Sequence, residues 1–418
     1  MIGKRRWLIM LKNGMNKARN IMDQNIKGRK IKVCHIADLN QVHCRRYIGY
    51  FIQHAKQEIT VLNCQPLAID NSPLDSFSGD YKLYNIGSKF SMFIIKYKIP
   101  IIRKVLLFLG YLQVFLRIKR AIRKIKPDIL HVQNASIESL LAILTAFRPI
   151  IIFPWGGDVL EDPYRSPLRA LLLRYVLKRA SIITPNSEIV AKGCIKFGAS
   201  KEKIQLIQIG LDIKKYRPKQ SVDHIRKKLQ IADNDPVILS ARNFRPLYNI
   251  ETIIRSIPFV LRKNPDAKYV FLRGKIETQE KEILALIEKM GISHAVRYVG
   301  YVENNEEMPY YFSLADIYIS VPFYDSSSSA LQEAMASGAV PIASDIPANH
   351  AWIKDGYNGY IIPVKSYEGI ASRINLLISD RSLRQNMANI NREIVVKRSD
   401  KDMRQAEFEL IYEGLMRC

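Results

Sequence analysis

Residues Val321 to Pro341 read VPFYDSSSSALQEAMASGAVP: an apolar, strand-like run, then Asp325, four serines and a helix-like segment that carries Glu333. Where a strand passes through a small-residue loop into a helix, unpaired N–H groups and the positive end of the helix dipole point at the same spot. The pattern predicts an anion cradle that fits a diphosphate. Glu333 can accept two hydrogen bonds from a vicinal diol such as ribose, and Asp325 can hold sugar hydroxyls.

A simpler interpretation of the same segment is purely structural. The run Ser329-Ala-Leu-Gln332 satisfies the capping-box pattern, in which a serine and a glutamine close the first turn of a helix. On this interpretation Asp325 only caps a loop. The segment taken alone leaves both interpretations open, so the surrounding sequence has to decide between them.

The rest of the chain alternates β-branched runs with amphipathic segments, the pattern of a parallel sheet covered by helices. A chain of 418 residues exceeds what one hydrophobic core usually covers, so we expect two such domains. The apolar runs of the first series are Ile31 to Ala37, Ile129 to Val132, Ile150 to Phe153 and Ile182 to Thr184. Those of the second are Val237 to Ala241, Tyr269 to Arg273, Val296 to Tyr301, Ile317 to Val321, Val340 to Ala343 and Gly359 to Ile362.

A polar stretch that ends at Pro236 separates the two series and is typical of an interdomain linker. We therefore expect a basic leader over residues 1–29, with membrane association as one option, and an N-terminal Rossmann-like domain over 30–215. A linker over 216–236 leads to a C-terminal Rossmann-like domain over 237–395. Residues 396–418 are expected to form a helix, for which a return to the N-terminal domain is one option.

The formal net charge is +25, which favours an anionic partner, whether nucleic acid, anionic lipid or a phosphorylated substrate. From Lys89 to Lys126 there are eleven basic residues and no acidic one, mixed with many aliphatic and aromatic side chains. Nucleic-acid binders rarely mix so much aliphatic bulk with a basic patch, whereas a helix in a lipid headgroup layer needs both. A peripheral membrane surface is the favoured interpretation, and a core helix with a solvated basic side is the alternative.

The best candidate for a membrane span, Val105 to Leu116, is too short and is bounded by basic residues at both ends. The N-terminus lacks the long apolar region and the cleavage site of a secretory signal. The five cysteines are scattered and form no Cys-x-x-Cys pair, which argues against a disulfide framework or a structural zinc site. A cytoplasmic protein on the inner face of the membrane fits best.

The blocks around the serine loop resemble the family 4 retaining glycosyltransferases. Asp325-x7-Glu333 resembles the family's Glu-x7-Glu signature, and EAMASGAVPIASDIPANHAWIKDGYNGYIIP continues it. Further blocks occur in the family's order over about Lys30 to Leu383: KPDILHVQ, PWGGDV, KIQLIQIGLDIKKYRP, SARNFRPLYNIETII and VRYVGYV. Ordered blocks over such a span form a strong signal, where any one of them would be weak.

The resemblance implies a GT-B fold, in which two Rossmann-like domains with parallel sheets face each other across a cleft. It also implies a hexosyltransferase-like enzyme that uses a nucleoside-diphosphate sugar as co-substrate, with no bound cofactor and no metal ion. By matching position, Arg242 binds the donor diphosphate, Glu333 the ribose and Asp325 the donor sugar. The backbone amides of the loop formed by Ser326, Ser327, Ser328 and Ser329 would hold the phosphates.

The chain departs from the family pattern at several points. The lysine that usually follows the arginine is missing, and Arg245 either substitutes for it or is a solvated loop charge. Asp325 is one methylene shorter than the usual glutamate. Trp155 stands where many relatives have a histidine, which leaves Asp158 as the N-terminal domain's best candidate for a catalytic role, or else a turn or cap residue. His43 contacts acceptor or phosphate, or is an ordinary loop histidine.

The expected partners are therefore a nucleotide-sugar donor, a lipid-linked or glycan acceptor and an anionic membrane surface. An enzyme of cell-surface polysaccharide biosynthesis fits this set. Two other functions stay open on the sequence alone. One is a nucleotide-sugar epimerase on the same architecture, because fold does not fix function. The other is a nucleic-acid-binding protein, which the net charge by itself would suggest but which no recognisable motif supports.

Overall fold

The structure, a computed structural model, describes residues 29–54, 56–65, 79–88, 100–218, 220–273, 278–302 and 306–417. The basic leader expected over residues 1–29 therefore lies, except for Arg29, outside the described residues. So does the first part of the basic segment that begins at Lys89. No described helix is both long and apolar enough to span a bilayer.

The first sheet has six strands in the order β3-β2-β1-β4-β5-β6. Its pairings β1-β2, β2-β3 and β5-β6 are parallel, with Val33 opposite Ile59 in the first pair. The strands are β1 (Lys32–Ala37), β2 (Glu58–Asn63), β3 (Tyr81–Asn85), β4 (Ile129–Val132), β5 (Ile150–Ile152) and β6 (Ile182–Ile183). The helices along this part of the chain are α1 (Val42–His54), α2 (Pro100–Ile125), α3 (Ile137–Leu144), α4 (Gly157–Leu160), α5 (Pro167–Arg179) and α6 (Glu188–Lys196).

The second sheet also has six strands, in the order β12-β11-β10-β7-β8-β9, and every pairing in it is parallel. The strands are β7 (Val237–Ala241), β8 (Lys268–Arg273), β9 (Val296–Tyr301), β10 (Ile317–Ser320), β11 (Val340–Ser344) and β12 (Tyr360–Ile362). The helices are α7 (Asp223–Leu229), α8 (Ile250–Leu261), α9 (Glu280–Lys289), α10 (Met308–Leu314), α11 (Ser329–Ser337), α12 (Pro347–His350), α13 (Tyr367–Ser379), α14 (Arg381–Ser399) and α15 (Lys401–Leu415).

The ten apolar runs of the sequence all become strands, and the α/β expectation with two parallel sheets is confirmed. Two strands of the first sheet were missed. β2 (EITVLN) is buried at five of its six residues, but polar residue types interrupt its apolar ones, while β3 lies at the sheet edge, where its side chains are only partly buried or exposed. Edge strands need few apolar residues, so a hydrophobic pattern identifies them poorly.

Two hydrophobic clusters cover the faces of the second sheet. One contains Ile253 and Ile257 of α8, and the other contains Leu331 and Met335 of α11; all four are buried. β7 and β10 are neighbours, with Ile238 opposite Ile317. The loops that leave the carboxyl ends of these two strands therefore start side by side, where ligands bind in open α/β sheets.

By its internal contacts the chain divides into two compact units. The first comprises residues 1–131, 147–149 and 415–418, and the second comprises 132–146 and 150–414, including the whole second sheet. The segment predicted as a linker contains α7, and Ile225 of that helix is buried in the core of the second unit. Within the same unit, the ring of Phe408 on α15 packs 5.5 Å from that of Phe153.

Candidate functional site

The carboxyl ends of β7 and β10 bring an arginine and an aspartate together. Arg242 directly follows β7, and its Nη2 donates to Asp325 Oδ2 at 2.6 Å. Its Nη1 donates to Ser328 Oγ at 2.8 Å. One guanidinium thus bridges the two ends of the serine loop, although 83 residues separate Arg242 from Asp325 in sequence.

The environment keeps Arg242 charged and fixes its plane. Its side chain is 11% exposed, and the ring of Tyr248 lies 4.3 Å below the guanidinium carbon. Burial by itself lowers the pKa of Arg242, but the negative charge of Asp325, together with Tyr318 and Tyr248, outweighs this, so the net pKa is raised. A permanent cation with a defined orientation results.

The serine loop ends in a capped helix. Ser328 is the N-cap of α11, and its Oγ accepts a hydrogen bond from the amide of Leu331 at 3.2 Å. The capping interpretation placed the cap at Ser329, which is wrong by one residue: Ser329 is the first residue of the helix and is exposed. The amides of Ser329 and Ala330 belong to the first turn, where no helical carbonyl can reach them. They are donors for an anion at this end of α11.

Glu333 lies one turn inside α11 and is only 4% exposed. Its neighbour Gln332 supports the loop, because the amide nitrogen of its side chain donates to Ser327 Oγ at 3.3 Å and to the carbonyl of Ser328 at 3.4 Å. The carboxylate of Glu333, on a buried helix face close to the cap residue Ser328, is suited to accept hydrogen bonds from hydroxyl groups of a ligand.

A second loop, after β5, packs directly against the serine loop. Ser326 Oγ donates to the carbonyl of Trp155 at 3.2 Å, and the Ser326 amide donates to Asp325 Oδ1 at 2.8 Å. Gly156 has φ +132°, and a Cβ at that position would lie 2.5 Å from Ser326 Cβ. A glycine is therefore required on both conformational and steric grounds.

Asp158 has the contacts of a turn residue. Its Oδ2 accepts from the amides of Ala135 at 2.7 Å and Trp155 at 3.3 Å, and its Oδ1 accepts from the amide of Gly156 at 2.9 Å. Burial raises the pKa of Asp158, and these three amides oppose the rise. Of the two roles that the sequence left open, the geometry favours the structural one, in which Asp158 ties the loop after β4 to the loop after β5.

The remaining predicted residues are Arg245 and His43. Arg245 directly precedes a 3₁₀ turn (Pro246–Tyr248), and its side chain is exposed. His43 lies in the first turn of α1, where burial lowers its pKa to about 4 against the opposing charge of Asp38. It belongs to the other compact unit. The contacts of Arg245 and His43 do not identify a ligand for either side chain.

Two tyrosines of the site were missed from the sequence. Tyr248 stacks on Arg242 near the position of the missing lysine, and Tyr324 forms a hydrogen bond with Glu161 at the end of α4. Burial, followed by this hydrogen bond, raises the pKa of Tyr324 to about 12. Tyr324 could have been identified from its position next to Asp325 in the sequence. It was not, because a single aromatic residue at the end of a strand usually belongs to the hydrophobic core.

The arrangement is suited to hold a diphosphate. One oriented cation, a capped helix N-terminus and a buried carboxylate lie within a short span of each other at one sheet edge. The described residues contain no cluster of three or more acidic, histidine or cysteine side chains able to bind a metal ion. Arg242 and the loop amides can themselves supply the positive charge that a departing phosphate requires.

Comparison with known proteins agrees with this chemistry. A family model described as Glycosyl transferase 4-like matches residues 32–187, and one described as Glycosyl transferases group 1 matches residues 221–394. Together they account for most of the described chain. The second match contains Arg242, Asp325 and Glu333, and the first contains Asp158.

Individual relatives are distant. The chain is 24% identical over 215 residues to D-inositol 3-phosphate glycosyltransferase of Nocardia farcinica (strain IFM 10152), over 50% of this chain and 47% of that protein. It is 21% identical over 300 residues to the UDP-Gal:alpha-D-GlcNAc-diphosphoundecaprenol alpha-1,3-galactosyltransferase of Escherichia coli, over 68% and 76% of the two chains. The match thus spans about half the length of the first relative.

Among solved structures, Anabaena Alr3699/HepE in complex with UDP-glucose has a similar fold. The TM-score is 0.74 at 15% sequence identity, and the match covers 92% of this chain and 100% of that chain. At this identity the likeness concerns the fold alone.

Proposed function

Since this chain belongs to the family 4-like glycosyltransferases of the GT-B fold, we propose that it transfers a sugar from a nucleoside-diphosphate sugar to a hydroxyl group, with retention of the anomeric configuration. The acceptor is a lipid-linked or polysaccharide molecule at the inner face of the cell membrane. The observation that carries the proposal is the bridge from Arg242 to Asp325 and Ser328 at the N-terminus of α11.

In the proposed donor complex, the diphosphate lies against Arg242 and the amides of Ser329 and Ala330. Glu333 accepts hydrogen bonds from the ribose, and Asp325 faces the sugar. Arg245 is exposed on the loop beside Arg242 and adds a second positive charge to the entrance. The ring of Tyr248 fixes the orientation of the Arg242 guanidinium. It therefore helps to order the phosphate site in the absence of the family's lysine, but it does not replace the positive charge of that lysine.

In the proposed reaction, the bond between the anomeric carbon and the phosphate oxygen breaks while the acceptor oxygen bonds to the same face of that carbon. The acceptor proton passes to a phosphate oxygen of the leaving nucleoside diphosphate. This step requires no protein base, in agreement with the geometry, which leaves Asp158 committed to three backbone amides. Arg242 stabilises the charge that develops on the leaving group.

The membrane part of the proposal rests on α2. Its first two-thirds expose a stripe of large apolar side chains, and its last turns carry basic ones. Exposed fractions reach 74% at Ile101, 67% at Phe108 and 51% at Val105, and Arg120 and Arg123 are exposed. Arg117, by contrast, donates to the carbonyls of Ile86 and Gly87, so it has a structural role and is not part of the basic surface.

The donor is tested by thermal unfolding against UDP, GDP, ADP and TDP. A nucleotide that binds only the folded state at 100 times its Kd stabilises it by about 2.7 kcal/mol. UDP is the first to try, because the similar structure of Anabaena Alr3699/HepE is a complex with UDP-glucose and the Escherichia coli relative is named for UDP-Gal. Stabilisation by none of the four would contradict the donor assignment.

Reaction type is tested on products. Incubation with the matching nucleotide sugar and acceptor should give a glycoside whose anomeric proton coupling matches the donor's configuration in NMR spectra. Conversion of the nucleotide sugar to an epimer without any acceptor would instead show the alternative enzyme class. An inverted product would refute retention and leave glycosyl transfer standing.

A further inference from the structure

A second exposed apolar surface lies on α5, in the other compact unit from α2. Tyr164, Leu168, Leu171 and Tyr175 are exposed by 61%, 74%, 63% and 37%, and we call these four residues the α5 stripe. Leu168, Leu171 and Tyr175 are spaced three and four residues apart in α5, which places them on one face of the helix, and Tyr164 ends the 3₁₀ turn (Asp162–Tyr164) just before it. The opposite face is anchored in the core by Leu173, Val176 and Leu177, all 1% exposed or less. The stripe is therefore presented outward by a well-packed helix.

The charge around the α5 stripe has one sign. The helix PLRALLLRYVLKR contains four basic residues and no acidic one. Arg169, at its start, is paired with Asp162 at 2.9 Å. Arg174, Lys178 and Arg179 are exposed and form no ion pair with the described residues. Three uncompensated cations thus flank the two exposed leucines.

Cations also lie over both aromatic ends of the stripe. Lys196 Nζ donates to the hydroxyl of Tyr164 at 2.9 Å and lies 5.0 Å from the centre of its ring. The guanidinium carbon of Arg179 lies 5.3 Å from the ring centre of Tyr175. Each end of the stripe therefore combines an amphipathic ring with a positive charge, the combination that side chains adopt at the boundary between acyl chains and headgroups.

We propose that the α5 stripe and its flanking cations form a membrane-docking surface for an anionic bilayer. The leucines insert between acyl chains, and Arg174, Lys178 and Arg179 pair with lipid phosphates. Leucine side chains would find no partner on a nucleic-acid backbone, whereas a bilayer uses both the apolar and the basic component. An anionic leaflet is thus the single occupant that accounts for the whole surface.

Docking through this surface would also position the site, a consequence that rests on the proposed lipid-linked acceptor. The chain runs from Gly156 through α4 and Glu161 into α5, and Glu161 forms a hydrogen bond with Tyr324, the neighbour of Asp325. All of these residues belong to one compact unit. The hydroxyl group of a lipid-linked acceptor would then enter the proposed active site at the level of the lipid headgroups.

The experiment compares the full chain with two variants, each with four substitutions, by sedimentation with lipid vesicles. The vesicles contain phosphatidylcholine, either alone or with roughly 30 mol% phosphatidylglycerol, an anionic lipid content chosen to give a strong negative surface potential. The test variant is Leu168→Gln, Leu171→Gln, Arg174→Gln and Lys178→Gln. The control variant removes two exposed apolar and two basic side chains elsewhere in the same unit: Met403→Gln, Leu410→Gln, Arg381→Gln and Lys397→Gln. All eight residues are exposed.

We expect the test variant to lose at least about tenfold in apparent affinity for the anionic vesicles, with the control close to wild type. Wild-type binding should fall with added salt. Nucleotide-induced thermal stabilisation should be the same in all three proteins, which separates a failure of docking from a failure of the donor assignment. Equal vesicle binding by the test and control variants, or no binding by the wild type, would overturn the proposal. A wild-type dimer in gel filtration that becomes monomeric in the test variant would overturn it in favour of self-association.

Discussion

Arg242 and Asp325 form an ion pair in which Nη2 donates to Oδ2 at 2.6 Å, with side chains only 11% and 15% exposed. The pair couples two functions of the site. Asp325 orients the guanidinium, and in the proposed donor complex it would also compete with the diphosphate for the positive charge of that group. Changes at the two residues should therefore affect nucleotide binding in opposite directions.

For Asp325→Asn we expect nucleoside-diphosphate affinity to rise by roughly threefold to tenfold, because a negative charge near the phosphates is removed while the side-chain shape is kept. The rate of sugar transfer should fall, since the carboxylate that we propose to face the sugar is lost. Titration calorimetry and a product assay measure the two effects. Weaker nucleotide binding in this variant would show that Asp325 acts mainly by orienting Arg242.

For Arg242→Lys we expect kcat/KM to fall by about 10²- to 10³-fold. A lysine keeps the charge but cannot bind Asp325 and Ser328 through a planar fork. Arg245→Lys, on the exposed neighbouring arginine, is the matched control and should change kcat/KM by much less. Equal losses of kcat/KM in both variants would indicate that Arg245 contacts the phosphates as closely as Arg242 does.

For Glu333→Gln we expect roughly tenfold weaker binding of the matching nucleotide, the usual effect of losing a charged hydrogen-bond acceptor. The 2′- and 3′-deoxy forms of the nucleotide complete a double-mutant cycle. Wild-type protein should discriminate against one of these forms, and the variant should not. Unchanged discrimination in Glu333→Gln would exclude the ribose as the partner of this carboxylate.

For Gly156→Ala we expect a loss of about 1–3 kcal/mol in unfolding free energy, together with weaker nucleotide binding. The backbone has φ +132°, and the new Cβ would meet Ser326 Cβ at 2.5 Å, which pushes the serine loop away from its position. Gly414→Ala is the control. It lies in helix α15, where a Cβ meets nothing within 4 Å, and it should stabilise the protein slightly. Denaturant unfolding and nucleotide titration measure both variants.

Because two histidines are buried, we expect the stability of the folded protein to decrease at acidic pH. Burial lowers the pKa of His35 to about 3 and lowers that of His131 well below its usual value, and the charge of His35 lowers the latter further. Below about pH 6.5 the unfolded chain binds protons that the folded protein excludes, so the free energy of unfolding falls as the pH falls from about 6.5 towards 3. The slope approaches about 1.4 kcal/mol per pH unit for each histidine.

Urea unfolding at several pH values checks this expectation. The double variant His35→Gln and His131→Gln should show a shallower decline between pH 6.5 and 5, whatever its stability at neutral pH. His224→Gln, at an exposed position, should keep the wild-type slope. A wild-type slope in the double variant would assign the acid sensitivity to other groups.

The sequence alone determined the two-sheet α/β architecture, because the strands of buried parallel sheets are continuous apolar runs that need no tertiary information to be seen. It also located the serine loop and the carboxylates Asp325 and Glu333, since a strand, a small-residue loop and a helix start are consecutive in the chain. The missed strands β2 and β3 show the limit, because polar residues interrupt the apolar ones of β2, and the side chains of β3 are only partly covered.

Only the tertiary structure decided the partners. Arg242 meets Asp325 because β7 and β10, far apart in sequence, are neighbours in the sheet. Ser328 became the cap instead of Ser329 because the loop's backbone path sets where the helix begins. Three amides, one of them from Ala135 after another strand, converge on Asp158 and favour its role as a turn residue. A sequence specifies which groups can form hydrogen bonds, whereas burial and the crossing of distant strands determine which bonds are formed.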